Sequence, residues 1–100
     1  MKKILLACSA GMSTSLLVQK MQAAAAEEGV EVSIEAQPVA KAKRDLNDYD
    51  IVLLGPQVRY MEGEMKKAVK GDTKVAVIDM MAYGTMDGAK VLKTALADLG

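Results

Sequence analysis

The chain has 100 residues, which suits one domain and leaves no room for a second hydrophobic core. Hydrophobic residues make up 51% and charged residues 26%, the balance of a folded globular chain rather than a disordered one. The 13 basic and 13 acidic side chains cancel, so no net positive field attracts nucleic acid or anionic lipid. We therefore expect a single domain over residues 1–100 that does not bind nucleic acid.

Several residue types are missing, and each absence excludes a class of site. Without histidine, the chain offers no imidazole general base and no histidine-ligated metal. Phe and Trp are absent as well, which leaves too few aromatic side chains for a stacking platform. Cys8 is the only cysteine, so neither an internal disulfide nor a zinc ribbon can form. We expect no metal and no cofactor.

The amino-terminal segment combines two lysines with a short apolar run, as secretory signal peptides do. The run is too brief for a signal-peptide core, and polar residues follow it within one turn. Nowhere does an apolar run approach the roughly 18 residues that a membrane span needs. We therefore expect a cytoplasmic protein with no membrane span of its own.

Four short apolar segments predict strands. The runs at 4–7, 51–54 and 75–78 are continuously apolar, which is typical of parallel strands covered on both faces. The segment 30–37 instead alternates apolar and polar side chains, which indicates an edge strand with one wet face. Pro38 and Gly55-Pro56 mark the ends of two of these strands.

The stretches between the strands predict helices. A first helix carries an apolar face that includes Leu16, Leu17 and Met21, and it stops at Gly29. Residues 39–48 predict a short solvated helix, and apolar spacing over 58–69 predicts another that Gly71 closes. The last helix has its apolar stripe over 91–99, with Asp87 as its amino-terminal cap.

Strand and helix thus alternate four times, which indicates an α/β fold with a parallel sheet and helices on both faces. The edge character of the second strand favours the order 2-1-3-4 in a three-layer α/β/α arrangement. This order is flavodoxin-like and phosphatase-like, and such doubly wound sheets bind ligands beyond the carboxyl ends of strands one and three. Cys8 and Gly55-Pro56-Gln57 fall at that place.

A loop of small residues joins the first strand to the first helix. It begins at Cys8 and continues through seven residues without a charge: Ser9, Ala10, Gly11, Met12, Ser13, Thr14 and Ser15. Backbone N–H groups of such a loop, at the start of a helix, can surround an anion such as phosphate. The positive end of the helix also favours the thiolate form of a cysteine there. The loop predicts a thiolate that attacks or carries phosphoryl, although a lone cysteine ending a buried strand is often only a small core residue.

Two established patterns for phosphate chemistry are absent. The residue directly after Gly11 is methionine rather than lysine, so the nucleotide-binding pattern G-x-x-x-x-G-K-[ST] is missing. Cysteine phosphatases of similar architecture need an arginine six residues after the cysteine, where this chain has Thr14. Without that guanidinium, the clamp on the transferring phosphoryl group is lost. A carrier, a cysteine-dependent phosphatase and a noncatalytic anion-binding module all remain open from these residues, with the carrier favoured.

The run CSAGMSTSLLV at 8–18 resembles the active-site segment of the IIB components of bacterial phosphoenolpyruvate-dependent sugar phosphotransferase systems, of the lactose/cellobiose (chitobiose) class. The similarity extends to VLLGPQV at 52–58 with Tyr60-Met61, and to VID at 77–79 with Tyr83-Gly84 and Asp87-Gly88. It therefore covers nearly the whole chain, in several separate motifs.

This resemblance implies a phosphotransferase subunit with a phosphocysteine intermediate. Cys8 matches the family's cysteine, which accepts phosphoryl from a phosphohistidine of the IIA component. It passes the group to a sugar held by the membrane-embedded IIC component, here a β-disaccharide such as cellobiose, chitobiose or lactose. The donor imidazole belongs to another protein, which agrees with the absence of histidine here. A carrier of this kind would hold its cysteine on an exposed rim, associated peripherally with the permease.

Other residues near the predicted site have two interpretations each. Asp79 could act as a general acid, but a capping carboxylate is the better interpretation because a carrier should not release its phosphoryl group. Gln57, Tyr60 and Tyr83 are candidates for a docking rim, although local packing explains the tyrosines equally well. Arg59 could contact phosphate directly, but a solvated residue at a helix start is the better interpretation. Four methionines are expected in loops that form a soft apolar rim around the cysteine: Met12, Met80, Met81 and Met86.

Overall fold

The computed structural model describes residues 1–9 and 11–99, and for residues 11–14 it describes the backbone only. Four strands form the sheet: β1 (Lys2–Cys8), β2 (Val32–Pro38), β3 (Ile51–Leu54) and β4 (Lys74–Val77). Five α-helices connect and follow them: α1 (Gly11–Glu28), α2 (Val39–Asp45), α3 (Glu62–Ala68), α4 (Met80–Gly84) and α5 (Gly88–Leu99). Two 3₁₀ segments, Leu46–Asp48 and Pro56–Met61, precede β3 and α3.

All neighbouring strands are parallel and stand in the order β2-β1-β3-β4, which confirms the predicted α/β sheet and its order. β1 and β3 are the inner strands, and their apolar residues are almost entirely buried because helices cover both faces. The register pairs Ala7 with Leu54, and Leu54 with Val77. The carboxyl ends of β1, β3 and β4 therefore meet at one edge of the sheet.

Two hydrophobic clusters cover the two faces of the sheet. Ile4 and Leu6 pack with α1 and α5 on one face, and Leu5 and Ala7 pack with α2 and α3 on the other. This division follows from the alternation of side chains along β1. The predicted three-layer arrangement is confirmed.

Two of the predicted helices differ from the prediction in detail, and the first helix does not. The helix predicted from Val58 onward begins instead as the 3₁₀ segment, because Gly55-Pro56 starts the turn and Val58 has non-helical backbone angles (φ −117°, ψ 22°). The helix predicted as solvated over 39–48 is α2 with the short 3₁₀ turn after it, and it packs on the sheet through Ala42 and Leu46, both 0% exposed. α1 runs as predicted and stops before Gly29, whose φ is 67°.

The loop positions expected for the methionines are partly wrong. Met80 and Met81 open the short helix α4, because the Asp79 carboxylate before them accepts a hydrogen bond from the Ala82 N–H. The backbone of Met12 lies within α1. Met86 does lie in the turn before α5. At the end of that turn, Asp87 accepts a hydrogen bond from the Lys90 N–H, which confirms its predicted capping role.

Candidate functional site

Cys8 is the last residue of β1 and pairs in register with Pro38 of β2. It lies where the sequence placed it, at the carboxyl edge of the sheet, between β2 and β3. Its side chain is 1% exposed, however, so the expectation of a thiol on an exposed rim is wrong for this conformation. Burial follows from position, because an inner strand is flanked on both sides and covered on both faces.

The predicted phosphate-binding loop leads directly from Cys8 into α1. Ser9 and Ser15 are exposed, and α1 begins at Gly11, so the backbone does pass from strand to helix start as predicted. Ala10 lies outside the described residues, as do the side chains of Met12, Ser13 and Thr14. The segment contains no charged side chain before Lys20, so any anion it binds meets backbone N–H groups and hydroxyls rather than a cation from this loop.

Gly55 follows β3 and lies beside Cys8. We call the Gly55 backbone and the Gln57 side chain next to it the wall of the site. The Gly55 N–H donates to the carbonyl oxygen of Ala7 across 2.9 Å, which continues the ladder between β3 and β1 beyond the end of β3. A Cβ atom at Gly55 would lie 3.6 Å from the Cβ of Cys8 and 2.7 Å from Oε1 of Gln57. The space a side chain would need is thus already filled by Gln57, next to the cysteine.

Gln57 and Tyr83, predicted as members of one rim, are brought together. Nε2 of Gln57 donates to the hydroxyl of Tyr83 across 3.1 Å. Tyr83 belongs to α4 and is half-buried against the cluster that contains Ala82. Local packing with a satisfied hydroxyl, one of the two interpretations of this tyrosine, therefore holds for Tyr83.

Asp79 follows β4 at the same edge. Oδ2 of Asp79 accepts the N–H of Ala82 across 3.0 Å, which is the geometry of a helix cap. The capping interpretation of this carboxylate is confirmed. Its position is fixed by the ladder, since the Ile78 N–H donates to the carbonyl oxygen of Leu54 across 2.8 Å.

Several large side chains around this edge face solvent. Tyr60 is 73% exposed, Met80 62% and Met81 76%. Leu16, predicted on the apolar face of α1, is 45% exposed, because Leu17 and Met21 set the buried face of the helix and Leu16 lies outside it. Arg59 is exposed, in agreement with its interpretation as a solvated residue. The edge around Cys8 thus carries apolar groups that water does not favour.

A small apolar cavity of about 50 Å³ lies between β4 and α5, away from Cys8. Leu53, Ala76, Asp79 and Val91 are among the residues that line it. The volume is that of one or two water molecules, far below the several hundred Å³ of a typical small-molecule site. It does not offer room for a sugar.

Within residues 1–9 and 11–99, no group of three or more Cys, Asp or Glu side chains is placed to hold a metal ion. None of the helices in that part of the chain is long and apolar enough to cross a membrane.

Comparison with known proteins places these features in a family. Residues 3–94 match the family described as the lactose/cellobiose-specific IIB subunit of the PTS system. The chain is 52% identical over 98 residues to the oligo-beta-mannoside-specific EIIB component of Bacillus subtilis (strain 168), covering 97% of this chain and 95% of that protein. It is 49% identical over 100 residues to the cellobiose-specific EIIB component of Lactococcus lactis subsp. lactis (strain IL1403), covering 94% of this chain and 93% of that protein.

Solved structures of IIB components share the fold of this chain. The lactose-specific IIB component domain from Streptococcus pneumoniae shares the fold with a TM-score of 0.86 at 22% identity, covering 96% of this chain and 95% of that one. The cellobiose-specific phosphotransferase IIB component protein from Borrelia burgdorferi has a TM-score of 0.77 at 36% identity, covering 96% and 89%. The order of the strands, the small-residue loop after Cys8 and these matches together show that the chain belongs to the lactose/cellobiose-specific IIB family of phosphotransferase subunits.

Proposed function

We propose that this chain is a single-domain phosphoryl carrier and that Cys8 is its phosphorylated residue. The observation that carries the proposal is the position of Cys8, the only cysteine, at the end of an inner strand and directly before the start of α1. Membership of the IIB family supports a phosphotransferase role, and because these 100 residues contain no histidine, a donor phosphohistidine lies outside them.

The first transfer takes phosphoryl from a IIA phosphohistidine. The Cys8 thiolate attacks phosphorus, the S–P bond forms and the P–N bond breaks, and the imidazole keeps the electron pair and takes up a proton. Backbone N–H groups from Ser9 through Ser15 hold the phosphoryl oxygens, so the catalysis is mainly alignment with electrostatic stabilisation. The charge-free loop suits a group that must both arrive and leave.

The second transfer delivers phosphoryl to a sugar bound by the membrane permease IIC. A sugar hydroxyl attacks phosphorus, the S–P bond breaks and the thiolate is restored, while the hydroxyl proton goes to the permease or to water. Relatives named for oligo-beta-mannoside and cellobiose support a sugar such as cellobiose, chitobiose or lactose. The carrier would work in the cytoplasm, at the membrane surface where the permease lies.

Both partners must reach the same sulfur, so we place their docking surface at the edge around Cys8. Gln57, Tyr60 and Tyr83 belong to it, together with the exposed methionines of α4. Apolar groups on a soluble surface are typical of sites that are covered on binding. The two partners would then compete for one face, and a stable ternary complex with both at Cys8 would contradict this.

A cysteine-dependent phosphatase is the second candidate, favoured only by the shared position of the cysteine loop. Two observations oppose it: Thr14 stands where such enzymes need arginine, and the carboxylate of Asp79 is used as a helix cap. A module that binds an anion without chemistry is the third.

One experiment separates the three. The protein is incubated with phosphoenolpyruvate, the general phosphotransferase proteins and IIA, and in parallel with an aryl phosphate alone. The proposal predicts one phosphoryl group per chain in the first reaction and no turnover in the second. Rapid turnover of the aryl phosphate favours the phosphatase, and phosphate binding that survives Cys8→Ser without either reaction favours the binding module.

A further inference from the structure

The carboxamide of Gln57 links the turn beside Cys8 to helix α4. At one end, Nε2 donates to the Tyr83 hydroxyl across 3.1 Å. At the other, Oε1 lies 2.7 Å from the point where a Cβ atom of Gly55 would stand. The amide is therefore hydrogen-bonded at one end and lies beside the Gly55 backbone at the other, and we call this arrangement the Gln57–Tyr83 bridge.

The bridge bears directly on Cys8. The same vacant Cβ position of Gly55 lies 3.6 Å from the Cβ of Cys8 and 3.6 Å from the carbonyl oxygen of Ala7. Cys8, the Gly55 backbone and the Gln57 carboxamide thus meet around one point. The amide occupies a place where a larger residue at 55 would push it away from the cysteine.

The two partners in the bridge differ in how firmly they are held. Tyr83 packs against the core beside Ala82, which is 3% exposed, and the Asp79 cap holds the start of its helix. The side chain of Gln57 is exposed, on a 3₁₀ segment with a kinked backbone. An exposed glutamine has several rotamers of similar energy, so the hydroxyl of Tyr83 selects the one that lies over Gly55.

We propose that Gln57 and Tyr83 are positioning residues for phosphoryl transfer at Cys8, an inference that rests on the proposed function. The hydroxyl of Tyr83 holds the Gln57 carboxamide over Gly55. The wall beside Cys8 is then fixed, and it orients the Cys8 side chain towards an incoming phosphoryl group. Such a role differs from docking. A docking residue alters the affinity for the partner protein, whereas a positioning residue alters the transfer rate at saturating partner and the reactivity of the thiol itself.

The test compares Tyr83→Phe, Gln57→Ala and the double variant with wild type. Two rates are measured for each: single-turnover transfer from saturating phosphorylated IIA, and alkylation of Cys8 by iodoacetamide, which needs no partner. We expect each single variant to lower the transfer rate about three- to tenfold, the effect of one lost hydrogen bond, and to raise the alkylation rate by a similar factor as the wall loosens. The double variant should resemble the single variants, because both remove one bridge.

Tyr49→Phe is the matched control. It removes the same kind of hydroxyl, which bonds to Glu35 and Gln37 of β2 rather than to the turn at Gly55, and should change neither rate. Unchanged saturating transfer or unchanged alkylation in Tyr83→Phe would overturn the inference, as would additive effects in the double variant. A rise in KM for IIA alone would assign the pair to docking instead. If wild type accepts no phosphoryl group, the proposed function fails. The alkylation rates of the variants then still show whether the Gln57–Tyr83 hydrogen bond limits access to the Cys8 thiol.

Discussion

Gly88, the first residue of α5, lies directly against the backbone of Lys20 in α1. A Cβ atom at Gly88 would stand 2.5 Å from the carbonyl carbon of Lys20 and 2.6 Å from the backbone nitrogen of Met21. Backbone atoms cannot rotate aside as a side-chain end can, so only glycine permits this approach. The contact holds α1, whose first turn follows the cysteine, against the last helix of the chain.

We expect Gly88→Ala to separate these two helices and to lower the free energy of unfolding by about 3 kcal/mol, the upper range for overpacking. Urea denaturation monitored by circular dichroism measures it. Gly63→Ala is the matched control, because nothing lies within 4 Å of its Cβ position in α3. That change should stabilise the protein by about 0.5 kcal/mol through helix propensity. Equal stabilities of the two variants would show that α1 and α5 are not in close contact at Gly88.

Asp79 offers a test of capping against acid catalysis. Asp79→Asn keeps an oxygen that can accept the Ala82 N–H, so we expect unchanged stability and an unchanged rate of transfer from phosphorylated IIA. Asp79→Ala removes the cap and should lower the free energy of unfolding by about 1 kcal/mol. A drop of about 100-fold in the transfer rate of the asparagine variant, with its stability intact, would instead identify a general acid.

Tyr49 predicts an effect at high pH. Its hydroxyl donates to the Glu35 carboxylate, and this hydrogen bond, followed by partial burial, raises the pKa of Tyr49 from 10.0 to about 12. The neutral form is thus favoured in the folded state. Its contribution to stability is complete below pH 10 and is lost as the pH rises from about 10 towards 12.

The difference between the tyrosinate absorbance curves of wild type and Tyr49→Phe isolates this group. We expect a midpoint near pH 12, with circular dichroism showing that the fold persists over the range compared. Glu35→Gln removes the charged acceptor and should move the midpoint down towards the ordinary value. A midpoint at 10 in the wild type would show that the hydrogen bond does not persist in solution.

The burial of Cys8 predicts slow chemistry at its thiol until the site opens. With 1% of the residue exposed, iodoacetamide should react at least about tenfold more slowly with the native protein than with the protein unfolded in urea. Intact mass spectrometry against time measures both rates. Equal rates would mean that the thiol is already open in solution, as the carrier role first suggested.

The sheet could be predicted from sequence because its strands carry their signal locally. Continuous apolar runs such as 51–54 mark strands covered by helices, and the alternation in 30–37 marks an edge strand with one wet face. The helix α4 escaped prediction because five residues show no periodicity and both Met80 and Met81 face solvent. The kink at Val58 escaped because 3₁₀ and α segments share the spacing of three residues.

In the candidate site too, features with a local sequence signal could be predicted and features that depend on tertiary neighbours could not. Cys8 and its loop were evident, because strand, small residues and helix follow one another along the chain. The burial of the thiol was not, because it depends on neighbours from β2 and β3. The hydrogen bond from Gln57 to Tyr83 joins residues 26 positions apart, so only the tertiary placement of α4 reveals it.

Peptide mapping can identify the residue that carries the phosphoryl group, which we propose is Cys8. Wild type and Cys8→Ser are each treated with phosphorylated IIA, digested under conditions that preserve S–P bonds, and analysed by tandem mass spectrometry. We expect one added phosphoryl group in wild type, located on the sulfur of Cys8, and none in the variant. A phosphoryl group located on any other residue, or equal labelling of Cys8→Ser, would contradict this proposal.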